Sequence, residues 1–175
     1  MPLPRLAAVA SPEVRVRRAH ADDVDALLTV STGLWREDAG THDPEVMNTD
    51  WPVQHGRASF EALVEDPDRV GLLAHLDGEL AGGLMGSYPE LTPFVRLREA
   101  RLNSLWVLPP HRGAGVGGLL IEAFFAWARE KGAPYAVVTA FTANPTAIAV
   151  YERHGFGSHT VTLRATLHEQ VGPHP

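Results

Sequence analysis

The sequence predicts an α/β (α+β) domain built on one mixed, mostly antiparallel sheet with helices on both faces. Three observations carry that expectation. Apolar patterning alternates between strand and helix periods in the order β-α-α-β-β-β-α-β-α-β. Asp77-Gly78 sits between two strand-like runs and marks a tight hairpin. Leu102–Gly118, read LNSLWVLPPHRGAGVGG, is a short apolar run, a proline stop and a glycine-rich turn that opens a helix. In that second half strands alternate with helices, which calls for parallel neighbours.

Taken in order, Val14–Arg18 alternates Val with Arg, as a half-exposed strand does. Ala21 to about Trp35 reads as a helix, with Asp22, Asp23 and Asp25 in its first turn and Val24, Leu27, Leu28 and Leu34 on its inner face. Residues 36–50 are polar and without periodicity, so a long loop is expected there. Thr49 or Asp50 can cap a second helix that tolerates Pro52 in its first turn and ends before Asp66-Pro67. Strands follow at Arg69–Leu76 and Glu79–Ser87, the second weakened by Gly82, Gly83 and Gly86. Residues 96–107 contain the strand that feeds the glycine turn. Val116, Leu119, Leu120, Ala123, Phe124, Trp127 and Ala128 then form a helical stripe, closed by Lys131 and Gly132. Ala136–Ala140 is a strand, Pro145–His154 a helix and Ser158–Leu167 a sixth strand. Residues 1–12 and 168–175 read as flexible tails around one domain spanning 13–167.

Composition narrows the function. At 175 residues, 45% of them hydrophobic, the chain can bury one proper core. A net charge of −6 argues against a broad nucleic-acid surface, and no apolar stretch approaches a membrane span. With no cysteine there is no disulfide, thiolate metal site or Cys nucleophile. The nine histidines are scattered, without an i, i+4 pair on a clear helix, so no metal is expected. The N-terminus lacks the apolar core of a signal peptide, and a cytoplasmic location is expected.

The glycine turn points to an anion. The first N–H groups of a helix lack partners and lie at the positive end of its dipole. Gly113, Gly115, Gly117 and Gly118 remove side chains that would hold a phosphate away, and Arg112 adds a charge at the entrance. The other reading of these glycines is a tight turn with close packing. Gly113, Gly115 and Gly118 match the dinucleotide pattern G-x-G-x-x-G, but no acidic residue lies between Glu130 and Glu152 to hold a ribose. The Lys-Ser or Lys-Thr of an ATPase phosphate loop is missing as well.

Arg112-Gly113-Ala114-Gly115-Val116-Gly117 resembles the R/Q-x-x-G-x-G/A signature of the GNAT superfamily of N-acetyltransferases. Downstream, Asn144-Pro-Thr-Ala147-Ile-Ala-Val-Tyr151-Glu-Arg-His-Gly155-Phe156 resembles that family's N-x-x-A-x-x-x-Y-x-x-x-G-F segment. The two motifs stand in order, separated by a helix and a strand. The close likeness covers 102–156 and a looser one 14–167.

The resemblance implies a sheet of six to seven strands in which Leu102–Val107 and Ala136–Ala140 form a splayed parallel pair that admits acetyl-CoA. It implies that Arg112, Gly113, Ala114, Gly115, Val116, Gly117 and Gly118 bind the pyrophosphate. Backbone groups of Leu105, Trp106 and Val107 meet the pantetheine arm, and Leu105 N–H could polarise the thioester. Asn144 and Ala147 adjoin the cofactor, Asn144 also serving as a helix cap. Tyr151 is the implied general acid for the departing thiolate; packing on Ala147 and Ile148 is the other reading. Many members carry a glutamate where this chain has Asn103, and neither Asn103 nor Ser104 can act as a base. Glu99, Glu37, Asp38, His42 or a water held by Asn103 remain open for that role. Trp35 and Trp51 could line an acceptor pocket or pack in the core. The expected activity is transfer of acetyl from acetyl-CoA to a primary amine of a small molecule or peptide. A catalytically silent acyl-CoA-binding regulatory module is the alternative. A homodimer is one assembly left open.

Overall fold

A computed structural model describes residues 13–167; the tails expected at 1–12 and 168–175 lie outside them. Five strands form one sheet in the order β1-β2-β3-β4-β5: β1 Val14–Arg18, β2 Arg69–Leu76, β3 Glu79–Ser87, β4 Ala100–Val107 and β5 Ala136–Val138. The first four pair antiparallel, and β4 pairs β5 parallel. β2 and β3 turn on Asp77 (φ 49°) and Gly78 (φ 91°), the two positive φ values of a two-residue hairpin loop.

The predicted sixth strand does not form. Residues 158–167 have no regular structure, and Val161, Leu163 and Leu167 are 81, 89 and 91% exposed. Their alternation satisfies the strand pattern, but β5 is three residues long and offers too short an edge to pair ten. The expectation of six to seven strands is therefore corrected to five among the described residues.

Two apolar layers cover the sheet. On one face α1 and α2 bury Leu27, Val30, Phe60 and Leu63 against Leu73 and Met85. Here α1 starts at Val24–Leu34, and α2 runs through a wide π turn, Pro52–Gly56, into Arg57–Glu65. On the other face α3, Val116–Glu130, lays Leu120, Ile121 and Phe124 on Val70, Leu72, Leu84 and Leu102. The last helix, α4 Pro145–Arg153, adds Val150 and Tyr151 to the edge of that layer. No described helix is long and apolar enough to cross a membrane.

Two departures from local pattern shape one end of the sheet. First, α1 does not stop near Trp35. It continues through a π-helical turn, Trp35–Ala39, and a last turn, Gly40–His42. The first half of the predicted loop, 36–42, is thus helix, because its polar side chains find partners elsewhere in the fold and tertiary contact overrides weak propensity, while 43–50 is turn and irregular as expected. Second, β4 carries a bulge. Met85 pairs Ser104 and Gly86 pairs Leu102, leaving Asn103 as the extra residue. The bulge shifts side-chain parity. Ala100 and Leu102 face the α3 layer before it, Leu105 and Val107 after it, and Trp106 turns to the α1 layer.

Trp106 lies flat against Gly33 of α1, where a Cβ would fall inside its ring. Gly→Ala within a helix ordinarily gains about 1 kcal/mol. Overpacking against a ring fixed by its strand costs about 1–3 kcal/mol. Gly33→Ala should therefore destabilise the protein by a net of up to about 2 kcal/mol, read as a lower urea midpoint at unchanged slope.

Candidate active site

The site begins where β4 and β5 part. They pair only at Ala100–Ala136, Arg101–Val137 and Leu102–Val138. Asn103–Val107 run on with β3 on one side and no strand on the other. The backbone groups of Leu105, Trp106 and Val107 on that open side have no ladder to join. The gap opens onto the N-terminus of α3. The sequence expectation placed the parallel partner at 136–140; the observed strand stops at Val138, which lengthens the gap.

The turn between β4 and α3 is bare. Gly113 and Gly115 each have φ 79°, and no atom lies within 4 Å of where a Cβ would stand. Gly115 is the N-cap in the left-handed region, with no side chain capping the helix. The first α3 amides, at Val116, Gly117 and Gly118, therefore have neither an intrahelical nor a side-chain acceptor. Ala114 is exposed beside them, and Val116 is buried, anchoring the helix start. Gly117 passes close to the Val107 side chain, and Gly118 faces the His154 imidazole. This cradle fits a pyrophosphate: amides at the positive end of a helix, side chains removed, and a cation beside it.

Arg112 is that cation. Its Nε donates to Val107 O at 3.0 Å, and its Nη2 donates to Glu37 Oε2 at 2.6 Å. Trp106 Nε1 donates to the same Glu37 oxygen at 3.1 Å. The Arg112 guanidinium holds the Glu37 carboxyl below its ordinary pKa, with the Trp106 N–H adding to the effect. Glu37 thus stays ionised and committed to these two partners at neutral pH.

The second motif lies across the gap. Asn144 caps α4, its Oδ1 accepting from Ala147 N at 3.0 Å, while its Nδ2 donates to Asp38 Oδ1 at 3.0 Å. Tyr151 packs edge-on against Phe156, with ring centroids 5.8 Å apart. Burial pushes the Tyr151 phenol up to about 12, with the Asp38 carboxylate adding to the rise. The phenol is protonated throughout the neutral range. His42 Nε2 lies 3.7 Å from Asp38 Oδ1, and its ring sits 5.5 Å from that of Phe141. Trp35 and Trp51 stack at 5.7 Å, and Trp51 meets Phe60 edge-on, so Trp51 joins the α1–α2 core.

The fold links Glu37 to Trp106 and Arg112, and Asp38 to Asn144, while the candidate base Glu99 lies apart and Trp51 joins the core. Glu99 precedes β4, which begins at Ala100, so the strand does not reach it, and the bulge at Asn103 sets it off the face of Leu105. Its neighbour Arg98 is tied to Asp68 at 2.6 Å, and Asp68 in turn to Lys131 at 2.6 Å, at the far end of α3. Six residues of strand, roughly 20 Å, separate Glu99 from Leu105. Two features had no signal in the sequence: the bulge at Asn103, and the contact of His42 with Phe141. Among the described residues no group of three or more His, Asp or Glu is placed to hold a metal.

Residues 35–156 match the family model of the acetyltransferase (GNAT) family. The chain belongs to that family and is an acyltransferase. It is 31% identical over 108 residues to the uncharacterized N-acetyltransferase YhfO of Bacillus subtilis (strain 168), a match covering 62% of this chain and 72% of that protein. It is 33% identical over 93 residues to streptothricin acetyltransferase of Streptomyces lavendulae, covering 53% of this chain and 47% of that protein. Its fold superposes with a TM-score of 0.71 on aminoglycoside N-acetyltransferase AAC(6')-Iy in complex with CoA, at 18% identity, covering 92% and 99% of the two chains. Family membership sets aside the dinucleotide reading of the glycine turn.

Proposed function

We propose that the chain transfers an acetyl group from acetyl-CoA to a primary amine of a small molecule or peptide. One observation carries the reading: β4 outruns β5 by five residues, Asn103–Val107, and the gap ends on the bare N-terminus of α3. Arg112 and the amides from Gly113 to Gly118 hold the pyrophosphate. The open backbone edge of Leu105, Trp106 and Val107 pairs with the amides of the pantetheine arm, as an added strand would. Acetyl-CoA supplies an activated acyl group; Leu105 N–H polarises its carbonyl, and Tyr151 donates to the leaving sulfur. Asn144 and Ala147 form the wall across the gap.

The relatives' names include acetyltransferases of streptothricin and of aminoglycosides. Together with the Asp38 carboxylate, which meets Asn144 across the gap, they support a cationic small-molecule amine as the first acceptor class to test. The domain proposed to do this spans 13–167. Acetyl-CoA should raise Tm by mass action and NAD should not. Amine-dependent release of CoA thiol across a panel of polyamines, aminoglycosides, amino acids and peptides then tests transfer itself. Binding without release for any amine would leave a silent acyl-CoA module instead.

Glu99→Gln should leave kcat/KM unchanged at every pH, since Glu99 sits at the wrong end of β4. A fall at neutral pH with recovery at high pH would restore it as the base.

A further inference from the structure

We propose that His42 accepts the proton of the incoming ammonium, with Asp38 as its positioning residue. This rests on the transfer reading above. The extension of α1 past Leu34 carries Glu37, Asp38 and His42 to the gap. Only one of the three is left with a suitable group. Glu37 is consumed by Arg112 and Trp106. Asp38 accepts from Asn144 and is committed to the cap of α4. An imidazole, of ordinary pKa about 6.5, is the better match near neutral pH. Asn103, where the strand could have supplied a carboxylate, is a bulge residue without a basic group.

His42 is fixed by two contacts on the α4 side of the gap. Asp38 Oδ1 lies 3.7 Å from its Nε2, one helical turn away, and the Phe141 ring packs beside it at 5.5 Å. The same Asp38 oxygen holds Asn144, the cap of the helix that bears Tyr151. Asp38 therefore links the group that takes a proton to the helix that gives one. At 3.7 Å the Asp38 carboxylate stands beside Nε2 outside hydrogen-bond range and places a negative charge next to the ring. The charged and titratable groups around His42 are Asp38 and Asp43 on its own helix end, Arg164 on Asp43, the Glu37–Arg112 pair one turn back, and Tyr151 on α4.

The protons balance as follows. The ammonium gives one proton to His42, which passes it to solvent. The neutral nitrogen forms its bond to the acyl carbon as the carbon–sulfur bond breaks. The nitrogen then loses a second proton to solvent. The leaving sulfur gains one through Tyr151, which is reprotonated from solvent. The net yield is amide, thiol and one proton released.

The test is kcat/KM against pH for the wild type, His42→Gln and His42→Ala with an acceptor from the panel, alongside CoA affinity. The wild type should show an acid limb that His42→Gln removes. His42→Gln should lose on the order of 10²-fold at neutral pH, regain rate as pH rises toward the amine's own pKa, and bind CoA as the wild type does. Added imidazole should rescue His42→Ala, which a packing role would not allow. Asp38→Asn should lower kcat while leaving CoA affinity and KM for the amine nearly unchanged, as a positioning role requires. Wild-type kcat/KM and an unchanged limb in His42→Gln would overturn the proposal, as would loss of CoA affinity in step with activity. Turnover that ignores His42 defeats this inference alone; absence of turnover in the wild type defeats the transfer reading and this inference with it.

Discussion

Arg112→Glu combined with Gly115→Val abolishes CoA binding and leaves the fold in place. Arg112 is the fixed cation at the α3 N-terminus, so its reversal removes an attraction to a pyrophosphate and adds a repulsion. A charge-assisted hydrogen bond is worth about 1.5–3 kcal/mol, and losing it against a dianion costs on the order of a hundredfold in Kd. Gly115 stands at φ 79° with open space around it, so valine there meets no neighbour but strains the backbone. That strain is roughly 1–3 kcal/mol, and relieving it turns the α3 amides away from their aim. Folding survives because both positions are exposed and surface ion pairs such as Arg112–Glu37 contribute about 0–1 kcal/mol. Calorimetric titration of CoA into the double variant, with circular dichroism as the folding control, reads the result. Undiminished affinity in a folded variant would remove the cradle from the account.

Tyr151→Phe lowers kcat and spares both CoA affinity and Tm. The substitution deletes one hydroxyl and keeps the ring on Phe156 and the α3 layer. General acids of this kind contribute about 10²–10⁴ in rate. Two facts pull the expectation to the lower end. A thiolate of ordinary pKa about 8.5 leaves without full protonation. A phenol pushed up to about 12 gives its proton to such a sulfur only uphill, so its main contribution is a hydrogen bond to developing charge. The expected loss is roughly a hundredfold in kcat. Because the phenol stays protonated well above neutrality, no basic limb below about pH 10 should trace to it. A wild-type kcat in Tyr151→Phe would return Tyr151 to the core as a packing residue.

What could be read in the sequence was carried by local chemistry. Asp77-Gly78 specified its hairpin because only that conformation suits a two-residue loop. The stripe from Val116 to Ala128 specified α3, and Asn144 its own helix cap. The glycines of 113–118 announced a bare turn, and the turn is bare.

What could not be read was set by residues distant in the chain. Glu37 is held by Trp106 and Arg112, which lie 69 and 75 positions away, and Asp38 by Asn144, 106 positions away. Nothing in the run Arg36–His42 announces a helix, since its stabilising partners are not in the run. The bulge at Asn103 carries no glycine or other marker, yet it reverses which residues of β4 face inward. Glu99 falls outside the site because β4 begins after it, at Ala100. The opposite error occurred at 158–167, where alternation was present and an edge to pair with was not.

The central claim is that this gap passes an acetyl group to an amine. Acetyl-CoA carrying an isotopic label in its acetyl group, incubated with the enzyme and the panel of amines, tests it by mass spectrometry of the acceptors. The account predicts label in an amide on at least one amine, one equivalent of free thiol for each amide formed, and neither product with the Arg112→Glu, Gly115→Val enzyme. Label that stays in acetyl-CoA, or leaves as acetate regardless of amine, would contradict it.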